Sequence, residues 1–126
     1  MASRTITLTD RRPITIDEEK YPVIALAKYH DGQVECQANR KWTIIVREPL
    51  DSSARRIVYG IYDTNYQNST SLRGGYIIDL DGDANGDAKT LDRLTVEKIK
   101  AVAAHINAPS HLADACIAHM PAEEID

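Results

Sequence analysis

"TLDRLTVEKIKAVAAHI", residues 90–106, decides the fold, because here the apolar spacing of the chain lengthens from two residues to between three and four. Leu91, Leu94, Ile99, Val102 and Ile106 fall on roughly one face of a helix, while Asp92, Arg93, Glu97, Lys98 and Lys100 lie elsewhere. Thr90 is suited to cap that helix, and "NAP" at 107–109 ends it. A second helix is predicted from Ser110, its expected N-cap, to His119, carrying Leu112, Cys116 and Ile117. The two helices occupy 91–119, and an acidic tail follows over 120–126.

Upstream of this change the period is two. "TITLT" (5–9) and "PITID" (13–17) alternate around "DRRP", a hairpin pattern. A short turn at 18–21 leads to a strand over 23–29, which "HDGQ" ends with Asp31–Gly32 as the expected hairpin turn. The stretch 34–48 reads as one long or two short strands, with Trp42, Ile44 and Val46 on one face and Lys41, Thr43 and Arg47 on the other. "RIVYGIYD" (56–63) is apolar on both faces and therefore central. A polar loop is predicted over 64–75, and a last short strand over 76–80. Strands first and helices last, without alternation, specify an α+β fold in a single domain spanning 1–126. Its antiparallel sheet has about five to six strands, covered on one face by the two C-terminal helices.

Composition narrows the function. Apolar residues make up 43% and charged residues 27%, which is ordinary for a globular domain, and the core must be built without Phe. No apolar run approaches the roughly 20 residues of a membrane span, and the first twelve residues lack a signal-peptide core, so a cytoplasmic, non-membrane protein is expected. Cys36 and Cys116 read as buried thiols. Residues 1–75 hold eleven Lys/Arg against nine Asp/Glu, and residues 76–126 hold four against ten, so the net charge of −4 comes from the second half. An acidic chain is a poor ligand for phosphate backbones, and the second helix, "SHLADACIAH", has no Arg or Lys with which to read DNA. No nucleic acid is expected as a partner.

Between strands and helices lies "DLDGDANGDAKTLD" (79–92), with five acidic residues in fourteen positions. From Asp81 the spacing resembles an EF-hand or dockerin-type loop. Asp81, Asp83, Asn85, Asp87 and Asp92 are its candidate ligands, and Gly86 permits the sharp bend. Hard Ca²⁺ prefers six to eight oxygens converging from a tight loop. Against this, Ala88 stands where such loops carry a β-branched or apolar residue, the motif occurs once, and a strand precedes it. A polar strand-to-helix linker explains the same residues and is the leading expectation, with no cofactor; Ca²⁺ is the alternative.

Basic residues cluster at expected turns: Arg11–Arg12, Arg55–Arg56, and Arg73 in "LRGGY". Tyr62, Tyr66 and Tyr76 flank the same loop, and Arg beside Tyr is the composition of interface anchors. These eight residues form the predicted partner-binding surface. Nucleophile elbows, P-loops, dinucleotide fingerprints and zincin motifs are missing, so no catalytic residue is assigned and no enzyme is expected.

Around "DGQVECQANRKW", "RRIVYGIYD" and "LRGG" the chain resembles short bacterial proteins of unknown function associated with plasmids, phages and integrative elements. The resemblance covers roughly the middle half and implies no activity or site residue. What it implies is an accessory protein, an inhibitor or modulator of a host complex, that works by binding another protein. An exposed edge strand such as "TITLT" also permits a homodimer.

Overall fold

Period-two segments become consecutive antiparallel strands in a computed structural model of the chain, which describes residues 3–6, 12–33, 38–50, 55–64, 70–79 and 88–120. The elements are β1 (Ser3–Ile6), β2 (Ile14–Asp17), β3 (Val23–Gln33), β4 (Ala38–Arg47), β5 (Arg55–Thr64), β6 (Thr70–Asp79), α1 (Ala88–His105) and α2 (Ser110–Ala118). The α+β reading holds, with one refinement. β3-β4-β5-β6 form a four-stranded meander, while β1 and β2 pair as a separate two-stranded sheet.

Strand alternation gives the meander two apolar faces, and each acquires its own cover. On one face Ala25, Ala27, Trp42, Ile44, Val46 and Val58 meet Ile99, Val102, Ala103 and Ile106 of the first helical segment and Leu112, Ala113 and Cys116 of α2. α1 lies over β5 and β6, and α2 over β3 and β4. On the other face Ile45, Ile57 and Tyr59 meet Ile6 and Ile16 of the hairpin. Each fully buried isoleucine contributes about 2 kcal/mol at the usual area coefficient. The hairpin is therefore the third layer, and it explains why Ile45 and Arg47, on the face opposite Trp42, are buried too.

One close approach sets the spacing of helix and sheet. A Cβ at Gly60 would lie 2.5 Å from Val102 Cγ1 and 2.8 Å from Ile106 Cδ1, so only glycine lets α1 settle at this depth. Gly74 pairs with Gly60 and Gly75 with Tyr59 in the β5–β6 ladder.

Local expectations are corrected in three places. Asp31–Gly32 is not a turn: Asp31 pairs with Arg40 and Gly32 with Asn39, so β3 runs on to Gln33 and the connection falls at 34–37, outside the described residues. The polar stretch 70–75 is not loop but the first half of β6, paired with β5 from Thr70↔Thr64 onward. Its lack of apolar periodicity reflects an edge position, where backbone hydrogen bonds suffice to hold a strand. Ser110 is the first residue of α2 rather than its cap; Pro109 holds the cap position and makes no side-chain bond there, in keeping with proline's preset φ near a helix start.

Candidate interaction surface

Two arginines of the predicted surface, Arg55 and Arg73, do not stand at one end of the sheet. Arg55 opens β5 opposite Asp79, whereas Arg73 in β6 is level with Ile61, six residues further along the ladder. At about 3.4 Å per residue that separates them by roughly 20 Å. Tyr76, paired with Val58, sits within β6 rather than beside a loop. Arg12 is exposed ahead of β2, while Arg11 and Tyr66 lie outside the described residues.

Arg56 is the clearest correction: it is 7% exposed and cannot serve as a surface contact. Strand alternation turns it toward α1, where its Nε donates to Glu48 Oε1 at 2.8 Å and its NH1 to Asp92 Oδ1 at 2.7 Å and to Thr95 Oγ1 at 3.0 Å. A buried guanidinium is costly unless acceptors satisfy its fork in this way. The network ties the start of β5 to the end of β4 and the second turn of α1. Arg47 plays the matching part on the hairpin side, donating from Nε to Tyr59 Oη at 3.1 Å and from NH1 to the Tyr21 carbonyl at 2.9 Å. Glu18 approaches it while pairing with Arg4.

The same network bears on the acidic loop. Asp81, Asp83, Asn85 and Asp87 lie outside the described residues, but Asp92, the ligand expected at the twelfth loop position, is on α1 with its carboxylate held by Arg56. A cation approaching Asp92 would meet a guanidinium already in place. Among the described residues no group of three or more His, Cys, Asp or Glu is placed to hold a metal.

α2 scatters its His and Cys side chains in the same way. Cys116 is fully buried with Sγ 3.9 Å from the Ile44 carbonyl, and burial pushes its thiol from 9.0 to about 11. Such a thiol is inert as a nucleophile at neutral pH. His119 Nδ1 bonds the Leu26 carbonyl, and His111 instead turns edge-on to Tyr29, with ring centroids 4.8 Å apart.

That last contact belongs to the most distinctive side-chain group described. Tyr29, Trp42 and Tyr62 are direct cross-strand neighbours on β3, β4 and β5. Their rings form a continuous row, with centroids 5.8 Å apart for Tyr29–Trp42 and 5.3 Å for Trp42–Tyr62. The Arg40 guanidinium lies over Trp42, 5.6 Å from its centroid. Trp42 is the anchor, 6% exposed, and its Nε1 donates to the Ile106 carbonyl at 3.0 Å, fixing the sheet to the turn between the helices. Tyr29 and Tyr62 remain half-exposed on either side of it, and Arg40 and His111 are exposed. Of the eight predicted contact residues, Tyr62 is the one that joins this group. Tyr29, Arg40, Trp42 and His111 are not among those eight. Their signal is a register in which each aromatic stands opposite the next, and it depends on knowing where the connections between β3, β4 and β5 fall.

No protein-family model matches the chain, and comparisons with curated proteins and with solved structures return no significant match. No helix among the described residues is long and apolar enough to cross a membrane.

Proposed function

We propose that this protein is a non-catalytic binding module, an accessory or host-modulating protein of the kind its middle segments resemble, acting in the cytoplasm on a partner protein. The observation that carries the reading is the contiguous row Tyr29–Trp42–Tyr62 with Arg40 and His111 at its margins. Tyr, Trp and Arg dominate interface hot spots because they offer large, stiff contact area with a polar tip. A buried tryptophan supporting two half-exposed tyrosines is such a surface already organised, so little side-chain entropy remains to be lost on binding. The described residues offer nothing comparable for chemistry. The buried ionisable groups are engaged in hydrogen bonds, as Arg47 and Arg56 are, and the buried thiol is held protonated.

The test is co-purification from the native host with wild type and with Arg40→Glu/Tyr62→Ala. The variant is expected to keep its fold, checked by a cooperative melt, and to lose the partner. Recovery of the same partner by the folded variant refutes this surface.

A further inference from the structure

Residues 106–109 carry the chain from α1 into α2, and the turn is built on one residue in an uncommon conformation. Asn107, at φ 55°, is the one non-glycine residue with positive φ among the described residues. Its N–H donates to the Ala104 carbonyl at 3.2 Å, and the N–H of Ala108 donates to the Ala103 carbonyl at 2.9 Å. These are the two bonds of a Schellman cap, which places a left-handed residue where Asn107 stands. A helix end also leaves later carbonyls without an internal partner. The one at Ile106 accepts from Trp42 Nε1 at 3.0 Å. α2 starts directly after the turn, with Leu112 N bonded to the Pro109 carbonyl at 3.0 Å, and its second residue, His111, lies edge-on to Tyr29.

We infer that Asn107 is a positioning residue for the aromatic row: its left-handed backbone sets the Ile106 carbonyl against Trp42 and His111 against Tyr29. The inference rests on the protein-binding reading above and adds what keeps that surface in shape. Trp42 is 6% exposed, so its part in the surface is support. Its ring centroid lies 5.8 Å from that of Tyr29 and 5.3 Å from that of Tyr62, so a displaced indole disturbs both half-exposed tyrosines. The Asn107 side chain itself is exposed. What the position requires is therefore a backbone conformation rather than a packed side chain. Asparagine and glycine adopt that conformation readily, whereas a β-branched residue does not.

Trp42 is the single tryptophan, so its indole N–H gives one NMR signal whose hydrogen exchange reports the bond to Ile106. In the full chain, Asn107→Val is expected to speed that exchange about tenfold, the size set by forcing a β-branched residue into or out of the left-handed region. The ring signals of Tyr29 and Tyr62 should shift with it, and Asn107→Gly should restore the wild-type spectrum. If Asn107→Val does not fold, Asn107→Ala is read in its place against the same glycine variant. Arg56→Met, which loosens the other end of α1, is the control. Unchanged indole exchange in the folded variant overturns the inference. So does an equal acceleration in Arg56→Met for the same loss of stability, because global opening then accounts for it. In host co-purification, the folded Asn107→Val protein is expected to recover less partner than wild type or Asn107→Gly. Full recovery by Asn107→Val while Arg40→Glu/Tyr62→Ala loses the partner overturns the inference and leaves the aromatic surface standing. Retention by Arg40→Glu/Tyr62→Ala refutes the surface as an interface, and the indole exchange then decides the positioning by itself.

Discussion

Replacing Gly60 by Ala tests the claim that the depth of α1 on the sheet is set by a missing side chain. The added Cβ would stand 2.5 Å from Val102 Cγ1 and 2.8 Å from Ile106 Cδ1, against about 3.5–4.0 Å for carbon atoms at their optimum. About 1 Å must therefore be found. Val102 and Ile106 are 0% and 1% exposed, so neither can swing into solvent. Valine in a helix has one strongly preferred rotamer, so the helix itself must lift. Overpacking of a filled core costs roughly 1–3 kcal/mol, and Ala recovers somewhat under 1 kcal/mol by restricting the unfolded chain. The net expectation is a loss of about 1–2 kcal/mol, read as a lower urea midpoint with unchanged m-value. For a chain of this length it is also a fall in Tm of roughly 3–10 °C. Val102→Ala removes the clashing methyl, so the double variant should be more stable than the two single losses predict, by at least about 0.5 kcal/mol of coupling. A Gly60→Ala protein as stable as wild type, or strictly additive losses, refutes the reasoning.

Arg56→Met is expected to cost about 1–3 kcal/mol in urea unfolding. The figure is below that for a fully buried pair because the side chains of Glu48 and Asp92 keep 36% and 46% of their exposure; an unchanged midpoint means the network is dispensable. With Arg56 in place, millimolar Ca²⁺ should leave the wild-type melting temperature where it is, since a bound ion must raise it by mass action; a clear rise restores the loop at 81–92 as a calcium site. In a Cys36→Ser background, Cys116 should react with a thiol reagent only on unfolding. Because its folded value near 11 exceeds the ordinary 9.0, the unfolded chain gives up this proton first. Stability attributable to the thiol is therefore intact below about pH 9 and falls as pH rises toward 11, which a Cys116→Ala comparison across that window checks.

The architecture was legible because it follows from period and order. The switch at residues 90–106 located α1, and Trp42, Ile44 and Val46, read as one face of β4, do lie together under the helices. β5 was read as central from apolar residues on both faces, and both faces are covered. The misread segments had conflicting local signals. Asp31–Gly32 favours a turn by propensity, but ladder pairing with Asn39 and Arg40 overrides it. Residues 70–75 look like loop because an edge strand is not obliged to alternate. The separation of the β1–β2 hairpin from the meander was invisible, since two sheets stacked face to face and one continuous sheet carry the same alternation.

The site was less legible for a reason that Arg56 and Arg40 show together. Each stands in a basic doublet next to an apolar strand, and by composition they are interchangeable. Arg56 is carried beneath α1 because Asp92 and Thr95, 36 and 39 residues away, supply the acceptors its fork requires. Arg40 stays exposed, with its guanidinium over the ring face of Trp42. Whether an arginine becomes a structural tie or a contact is thus decided by what a later element brings to it, and no local window contains that information. Trp42 marks the boundary: its ring closes the core while its Nε1 holds the turn at Ile106. Under the proposed function, the residues on the core side of it carry stability and those at its exposed margin make the contact. Among the described residues, Tyr29 and Tyr62 sit at this boundary, packed on Trp42 and still partly exposed.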